Sequence, residues 1–214
     1  MLPGKASVDT TAGVAFRACG KSVYMLDLHS LRLSRVVLNI TQVSTKGKRV
    51  PKLLRPHQAL TALATWPVLA SGAVGREWHI VLGTQYPPVV FAGILTASPA
   101  FGASATLVQA FDPKTLSNSS AAAASVEFMT VNALYRMPGS GNIACGLYVG
   151  NFFDGDLPAA LYTSTDGSRS FHEHPNTHEI PNTNVHNFMA DPRGRLCMAT
   201  DGNGVVCVND ENVS

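Results

Sequence analysis

The chain has 214 residues, of which 45% are hydrophobic and 14% charged, with a formal net charge of +2. One domain is the default for that length, and so little charge excludes a bundle of long solvated helices while fitting strands buried on both faces. The charge balance and the longest basic run, Lys46-Gly47-Lys48-Arg49, exclude a nucleic-acid footprint, and no stretch holds the roughly 20 apolar residues of a membrane-spanning helix.

In chain order, three strands are expected at residues 14–18, 22–28 and 33–40, divided by Cys19-Gly20-Lys21 and His29-Ser30. The segment Val23-Tyr24-Met25-Leu26-Asp27-Leu28 resembles the third strand of WD-repeat-like blades, where an Asp closes the strand. Residues 41–56 carry Lys46, Lys48, Arg49, Lys52 and Arg55 and read as a solvated loop, or as a docking surface for an acidic partner. A second unit follows at 59–67, 78–84, 88–96 and 106–111, then a Ser/Ala-rich connection at 112–125. A third runs through 126–134, 143–149, 159–164 and 170–174, and a fourth through 185–190, 196–200 and 205–209. The last has three strands, so a strand near Val8 is expected to complete it and join the termini.

Cys19, Cys145, Cys197 and Cys207 have neither C-x-x-C spacing nor the density of a disulfide scaffold. If residues 201–204 form the loop of an even-registered hairpin, Cys207 faces Met198 and Cys197 points to the other face. The expectation is four reduced cysteines in an intracellular, cytoplasmic and soluble chain, with the sequons at Asn39, Asn118 and Asn212 leaving secretion open.

Within Ser164-Thr165-Asp166-Gly167-Ser168-Arg169-Ser170-Phe171, the Asp accepts hydrogen bonds from its own turn, Gly167 takes a positive φ, and Phe171 supplies an apolar plug. This corner resembles the Asp-box of the bacterial neuraminidase repeat, with Ser168, Ser170 and Phe171 in place of Gly, Thr and Trp. The segment from Asp191 to Val208 is similar to the blade motif of two-component-regulator propellers, with Cys197 in place of the usual Trp. Both resemblances imply an all-β fold, a β-propeller of four to five blades over residues 1–214 or part of a larger wheel. A sandwich shares the same strand pattern.

Two resemblances bear on chemistry. Tyr135-Arg136-Met137-Pro138 is similar to the Phe/Tyr-Arg-Ile-Pro signature of sialidases, which implies an Arg clamping a substrate carboxylate. Here the tetrapeptide runs into a Gly-Ser-Gly turn, and the next strand lacks the expected Arg and Asp. Asn187 with Asp191-Pro192-Arg193-Gly194-Arg195-Leu196 is similar to gluconolactonase-like propellers, implying a divalent ion that polarises a lactone carbonyl, although the early Glu of that family is missing. His172 and His174 alternate as a strand would present two metal ligands on one face, or sit in a polar loop. Phe152 and Phe153 are adjacent aromatics beside Asp154, either contact anchors or packed rings.

The resulting expectation is a non-enzymatic propeller module binding a protein or glycan partner, with no cofactor, nucleic acid or membrane. Its alternative is a propeller hydrolase, sialidase-like or gluconolactonase-like. The candidate contact residues are Arg136, Phe152 and Phe153, and the candidate metal ligands are Asn187, His172 and His174.

Overall fold

The computed structural model describes residues 6–43, 48–68, 77–98, 102–112, 129–148, 161–174, 185–200 and 204–208, and the account below concerns these. The fold is all-β. The strands are β1 (Ala6–Asp9), β2 (Val14–Cys19), β3 (Ser22–Asp27), β4 (Leu33–Val43), β5 (Arg49–Pro51), β6 (Ala59–Pro67), β7 (Glu77–Gln85), β8 (Val90–Ser98) and β9 (Gly102–Phe111). They continue with β10 (Thr130–Arg136), β11 (Ile143–Tyr148), β12 (Leu161–Ser164), β13 (His172–Glu173), β14 (Val185–Ala190), β15 (Leu196–Thr200) and β16 (Gly204–Val208). Fourteen of them, β2 to β4 and β6 to β16, overlap the strands expected from alternation and turn chemistry.

Pairing is antiparallel along four successive meanders: β1 to β4, β6 to β9, β10 to β13, and β14 to β16. Three hydrophobic clusters lie between them. Phe16 and Val36 of the first meander pack with Trp78 and Leu107 of the second. Ala62 and Val90 of the second pack with Ile143, Tyr162 and Phe171 of the third. Ala144 and Leu161 of the third pack with Phe188 and Met198 of the fourth. Each meander therefore buries its apolar side chains against the next, which fits the low charge of the sequence.

The first strands of the meanders lie side by side, stitched by side chains. Thr65 on β6 donates through Oγ1 to Ser7 Oγ on β1 at 2.8 Å. Thr61 Oγ1 donates to the Val131 carbonyl on β10 at 2.6 Å, and Asn132 Nδ2 to the Val185 carbonyl on β14 at 2.9 Å. The approach of the fourth meander is close enough to require a glycine: a Cβ on Gly146 of β11 would lie 2.5 Å from Val185 Cγ1 and 2.9 Å from Phe188 Cζ.

Asp-pinned turns recur at matching places. Asp9, after β1, accepts from the amides of Thr11 and Ala12 at 3.1 and 3.0 Å, and Asp191, after β14, from those of Arg193 and Arg195 at 2.9 and 2.8 Å. Asp27, after β3, accepts from His29 and Ser30 at 2.9 and 3.0 Å, and Asp166, after β12, from Arg169 and Ser170 at 2.9 and 3.0 Å. The first pair closes the turn between strands one and two of a meander, the second pair that between strands three and four.

Four expectations are corrected. The strand containing Val8 does not complete the fourth meander: Ala6–Asp9 pairs with β2, because Asp9 closes a local hairpin there. The meanders are not all separate sheets either. β4 continues past its own meander and pairs in parallel with β9 from Val36↔Ala103 to Thr41↔Val108, which joins the first two into one sheet. Residues 41–56 are not simply a loop, since Thr41 to Val43 pairs with β5 and the exposed Arg49 keeps its charge in solvent. No fifth meander arises from this stretch among the described residues.

The fourth correction concerns the cysteines. The last hairpin pairs Thr200 with Gly204, one residue away from the even register, so Cys197 faces Cys207 and Met198 faces Val206. The two sulfurs form a disulfide. Cys19 and Cys145 are free thiols, the former exposed and the latter buried.

Candidate functional site

The corner between β12 and β13 is a hydrogen-bonded knot. Ser164 Oγ donates to Asp166 Oδ1 at 2.9 Å and accepts from the Ser168 amide at 2.9 Å. Ser170 Oγ donates to Asp166 Oδ2 at 2.7 Å, adding to the two amide bonds on Oδ1. Burial by itself would raise the Asp166 pKa, but the hydroxyl and amide of Ser170, the Ser164 hydroxyl and the Arg169 amide outweigh it and hold the carboxyl at about 2. Gly167 and Ser168 both have positive φ, +74° and +72°. Phe171 is buried against Phe111, with ring centroids 5.6 Å apart.

This corner forms the lip of a groove of about 470 Å³ that crosses onto the second meander. Asp166 to Arg169 line it together with Arg49 of β5, His79 of β7 and Gln109 of β9. Ala92, Gly93, Ile94, Val108 and Ala110 supply its apolar lining. Gly93 is small by necessity, because a Cβ there would lie 1.8 Å from the Thr106 carbonyl oxygen. His79 stacks on Trp66 with centroids 5.2 Å apart and an interplanar angle of 19°, and the Arg136 guanidinium lies over the same indole at 5.4 Å. Burial lowers the His79 pKa and the Arg136 charge lowers it further.

Beside the groove, the Lys52 ammonium donates to Gln109 Oε1 and sits 5.6 Å from the centre of the Phe91 ring. Burial lowers the Lys52 pKa, the Asp112 carboxylate pulls it back up, and Arg55 lowers it again. The Gln109 carboxamide is therefore oriented by Lys52 on one side and by Asp112, at 3.5 Å from Nε2, on the other.

The remaining candidates are dispersed. Arg136 is exposed at the end of β10 and engaged with Trp66. Asn187 is exposed on β14, its Oδ1 accepting from the Phe188 amide at 2.9 Å. His172 is exposed, its Nε2 3.2 Å from Ser170 Oγ, whereas His174 is buried. Asp191 is held by Arg195, whose Nε lies 2.7 Å from Oδ2. Phe152 and Phe153 lie outside the described residues. Among the described residues no group of three or more His, Cys, Asp or Glu is placed to hold a metal ion.

Sequence reasoning did not find the groove. Arg49, His79, Gln109 and Arg169 come from β5, from two strands of the second meander and from a turn of the third, and no local spacing connects them. The one available signal was Arg49, within the basic stretch already marked as a docking surface.

No family model matches the chain, and no curated protein matches it. Among solved structures, one similar chain is the extracellular domain of a hybrid two-component system from B. thetaiotaomicron, at 14% identity and a TM-score of 0.49, over 95% of this chain and 20% of that one. A second is the extracellular domain of a one-component system from the same organism, at 13% identity and a TM-score of 0.39, over 92% of this chain and 26% of that one. The chain thus spans about a fifth to a quarter of the length of these structures. No helix among the described residues is long and apolar enough to cross a membrane. The intracellular, cytoplasmic expectation is overturned. A disulfide such as Cys197–Cys207 persists in an oxidising compartment and is rare in the reducing cytosol.

Proposed function

We propose that this chain is a non-catalytic binding module of β-propeller type, working in an oxidising compartment, and that its ligand is an anionic glycan held in the groove beside the Asp166 corner. The propeller reading takes the four meanders as blades of one domain over residues 1–214. It is supported by apolar clusters between successive meanders and by first strands stitched side by side. The Asp-box reading of Ser164, Asp166, Gly167, Ser170 and Phe171 is supported by the knot of hydrogen bonds on Asp166 and the buried ring of Phe171.

The observation that carries the ligand class is the presence of Arg49 and Arg169 together among the residues lining this groove. Guanidinium groups bind carboxylates and sulfates bidentately, and the Gln109 carboxamide adds a directional partner suited to hydroxyls. The carboxylate at the lip, Asp166, is consumed by its own turn and offers neither a general acid nor a nucleophile at neutral pH. Arg136, stacked on Trp66 beside His79, borders the same region and is a further contact candidate. Phe152 and Phe153 remain candidates as aromatic anchors of the same module.

Calorimetric titration with a carboxylated oligosaccharide, oligogalacturonate, against a neutral one of equal length tests this reading. Binding of the charged sugar alone, lost in an Arg49→Ala/Arg169→Ala variant of unchanged fold, is expected. Equal binding of both sugars, or retention by the double variant, overturns it.

A further inference from the structure

The edge of β4 that faces β3 contains a break. β3 covers it from Leu33 to Val36, and β5 covers it from Thr41 to Val43. Both lie on the same edge, because β9 occupies the opposite one over Val36 to Thr41 and shares Val36 and Thr41 with them. Between them, residues 37–39 meet no strand on this side among the described residues. The Lys52 amide, donating to the Ile40 carbonyl at 2.8 Å, marks one end of the break. Three residues of extended chain span about 10 Å.

A groove of about 580 Å³ occupies this break. Lys21 and Arg35 border it on the β3 side and Lys52, Leu53 and Leu54 on the β5 side, with Val37 on β4 between them. Leu53 is 90% exposed and Val37 60%, so the groove pairs an exposed apolar contact with the cations Lys21 and Arg35, whereas Lys52 is held by Gln109. No Asp or Glu lines it. Charged residues on an exposed edge commonly block self-pairing. Here the same charges oppose a second copy of this chain, which would bring Lys and Arg against Lys and Arg, and they attract a strand of opposite sign.

We propose that this break is a docking site for an extended acidic peptide of a protein partner, which adds to β4 as a short strand. Its main chain pairs with the uncovered edge, one apolar side chain packs on Val37 and Leu53 on the exposed face, and carboxylates two residues to either side, on that same face, meet Lys21 and Arg35. Strand addition draws affinity from backbone hydrogen bonds and selectivity from alternate side chains. Conversely, lone exposed cations without an open edge would give only screened, sequence-blind attraction.

The test is fluorescence anisotropy with a labelled Glu-Thr-Val-Thr-Glu peptide, whose Val and two Glu side chains share one face, compared with the same peptide N-methylated at alternate residues and with a Lys-Thr-Val-Thr-Lys peptide. The acidic peptide is expected to bind, the N-methylated one to lose binding, and the basic one not to bind at all. A Lys21→Glu/Arg35→Glu variant, altered only at exposed positions, is expected to weaken binding tenfold or more, with circular dichroism reporting its fold. The Arg49→Ala/Arg169→Ala variant should bind the peptide unchanged, which separates this site from the glycan groove. Equal binding of the N-methylated peptide, an unaffected Lys21→Glu/Arg35→Glu variant, or no binding by the natural chain at about 1 mM peptide overturns the proposal.

Discussion

Trp78 donates its indole N–H to Asp9 Oδ2 at 2.9 Å, while Oδ1 of the same carboxylate caps the turn between β1 and β2. One Asp thus closes a local hairpin and ties it to the second meander across 69 positions of sequence. Trp78 is 1% exposed and meets Phe16 edge-on at 5.2 Å, so its N–H has no water to fall back on. An Asp9→Ala variant leaves that donor buried and unpaired, which costs about 1–3 kcal/mol. Asp9→Asn keeps an acceptor oxygen and is expected to lose less. Urea denaturation of the two variants checks the order, and equal stability of Asp9→Ala and the natural chain would remove this link from the account.

The Asp-pinned turns make stability sensitive to acid. Amides of Ser30 and His29 lower the Asp27 pKa, the Arg195 side chain lowers that of Asp191, and the Asp166 carboxyl lies at about 2. A carboxylate whose pKa is lower in the folded than in the unfolded chain stabilises the fold above the unfolded value. That contribution is lost as pH falls through the folded one. The melting temperature is therefore expected to hold steady above about pH 5 and to fall between about pH 4 and pH 2. Asp166→Asn should melt lower at neutral pH and show a shallower acid limb. Identical acid limbs for variant and natural chain would count against this assignment.

Ser168 has a φ of +72° where the neuraminidase repeat carries Gly. A side chain in the left-handed region costs roughly 1–2 kcal/mol relative to glycine. The Ser168 hydroxyl regains part of that by bonding the Gly167 carbonyl. Ser168→Gly is expected to raise stability by about 0.5–1 kcal/mol, read as a higher denaturation midpoint. A drop in the midpoint would mean that the hydroxyl, at a site 4% exposed, outweighs the strain.

Cys197 and Cys207 close a loop with a sequence separation of 10. A crosslink over so short a loop contributes about 2–3 kcal/mol by restricting the unfolded chain. The Cys197→Ser/Cys207→Ser double variant should be less stable by that order, and reduction of the natural protein should lower its melting temperature. Mass analysis of unreduced, alkylated protein is expected to show two modified thiols, Cys19 and Cys145, after denaturation. Four modified thiols would return the chain to the reduced state expected from sequence.

Most strands were readable because alternation and Asp/Gly turns are local: residues 59–67, 185–190 and 196–200 coincide with β6, β14 and β15. The knot at Asp166 was readable for the same reason, since donors and acceptor lie within six residues. The register of the last hairpin was not. Even and odd closures of the loop before Gly204 differ by one residue, and only the packing of Met198 and Val208 into the third cluster separates them.

The amino-acid sequence by itself determined an all-β chain, its succession of meanders and the chemistry of its turns, because alternating burial and turn hydrogen bonds act over a few residues. Tertiary structure decided the parallel union of β4 with β9, the facing of Cys197 by Cys207, the groove shared by Arg49, His79 and Arg169, and the uncovered stretch of β4. Each of these depends on which long-range surfaces meet. Any exposed strand edge or apolar face offers many partners of similar local merit, and only the packing of the whole chain chooses among them.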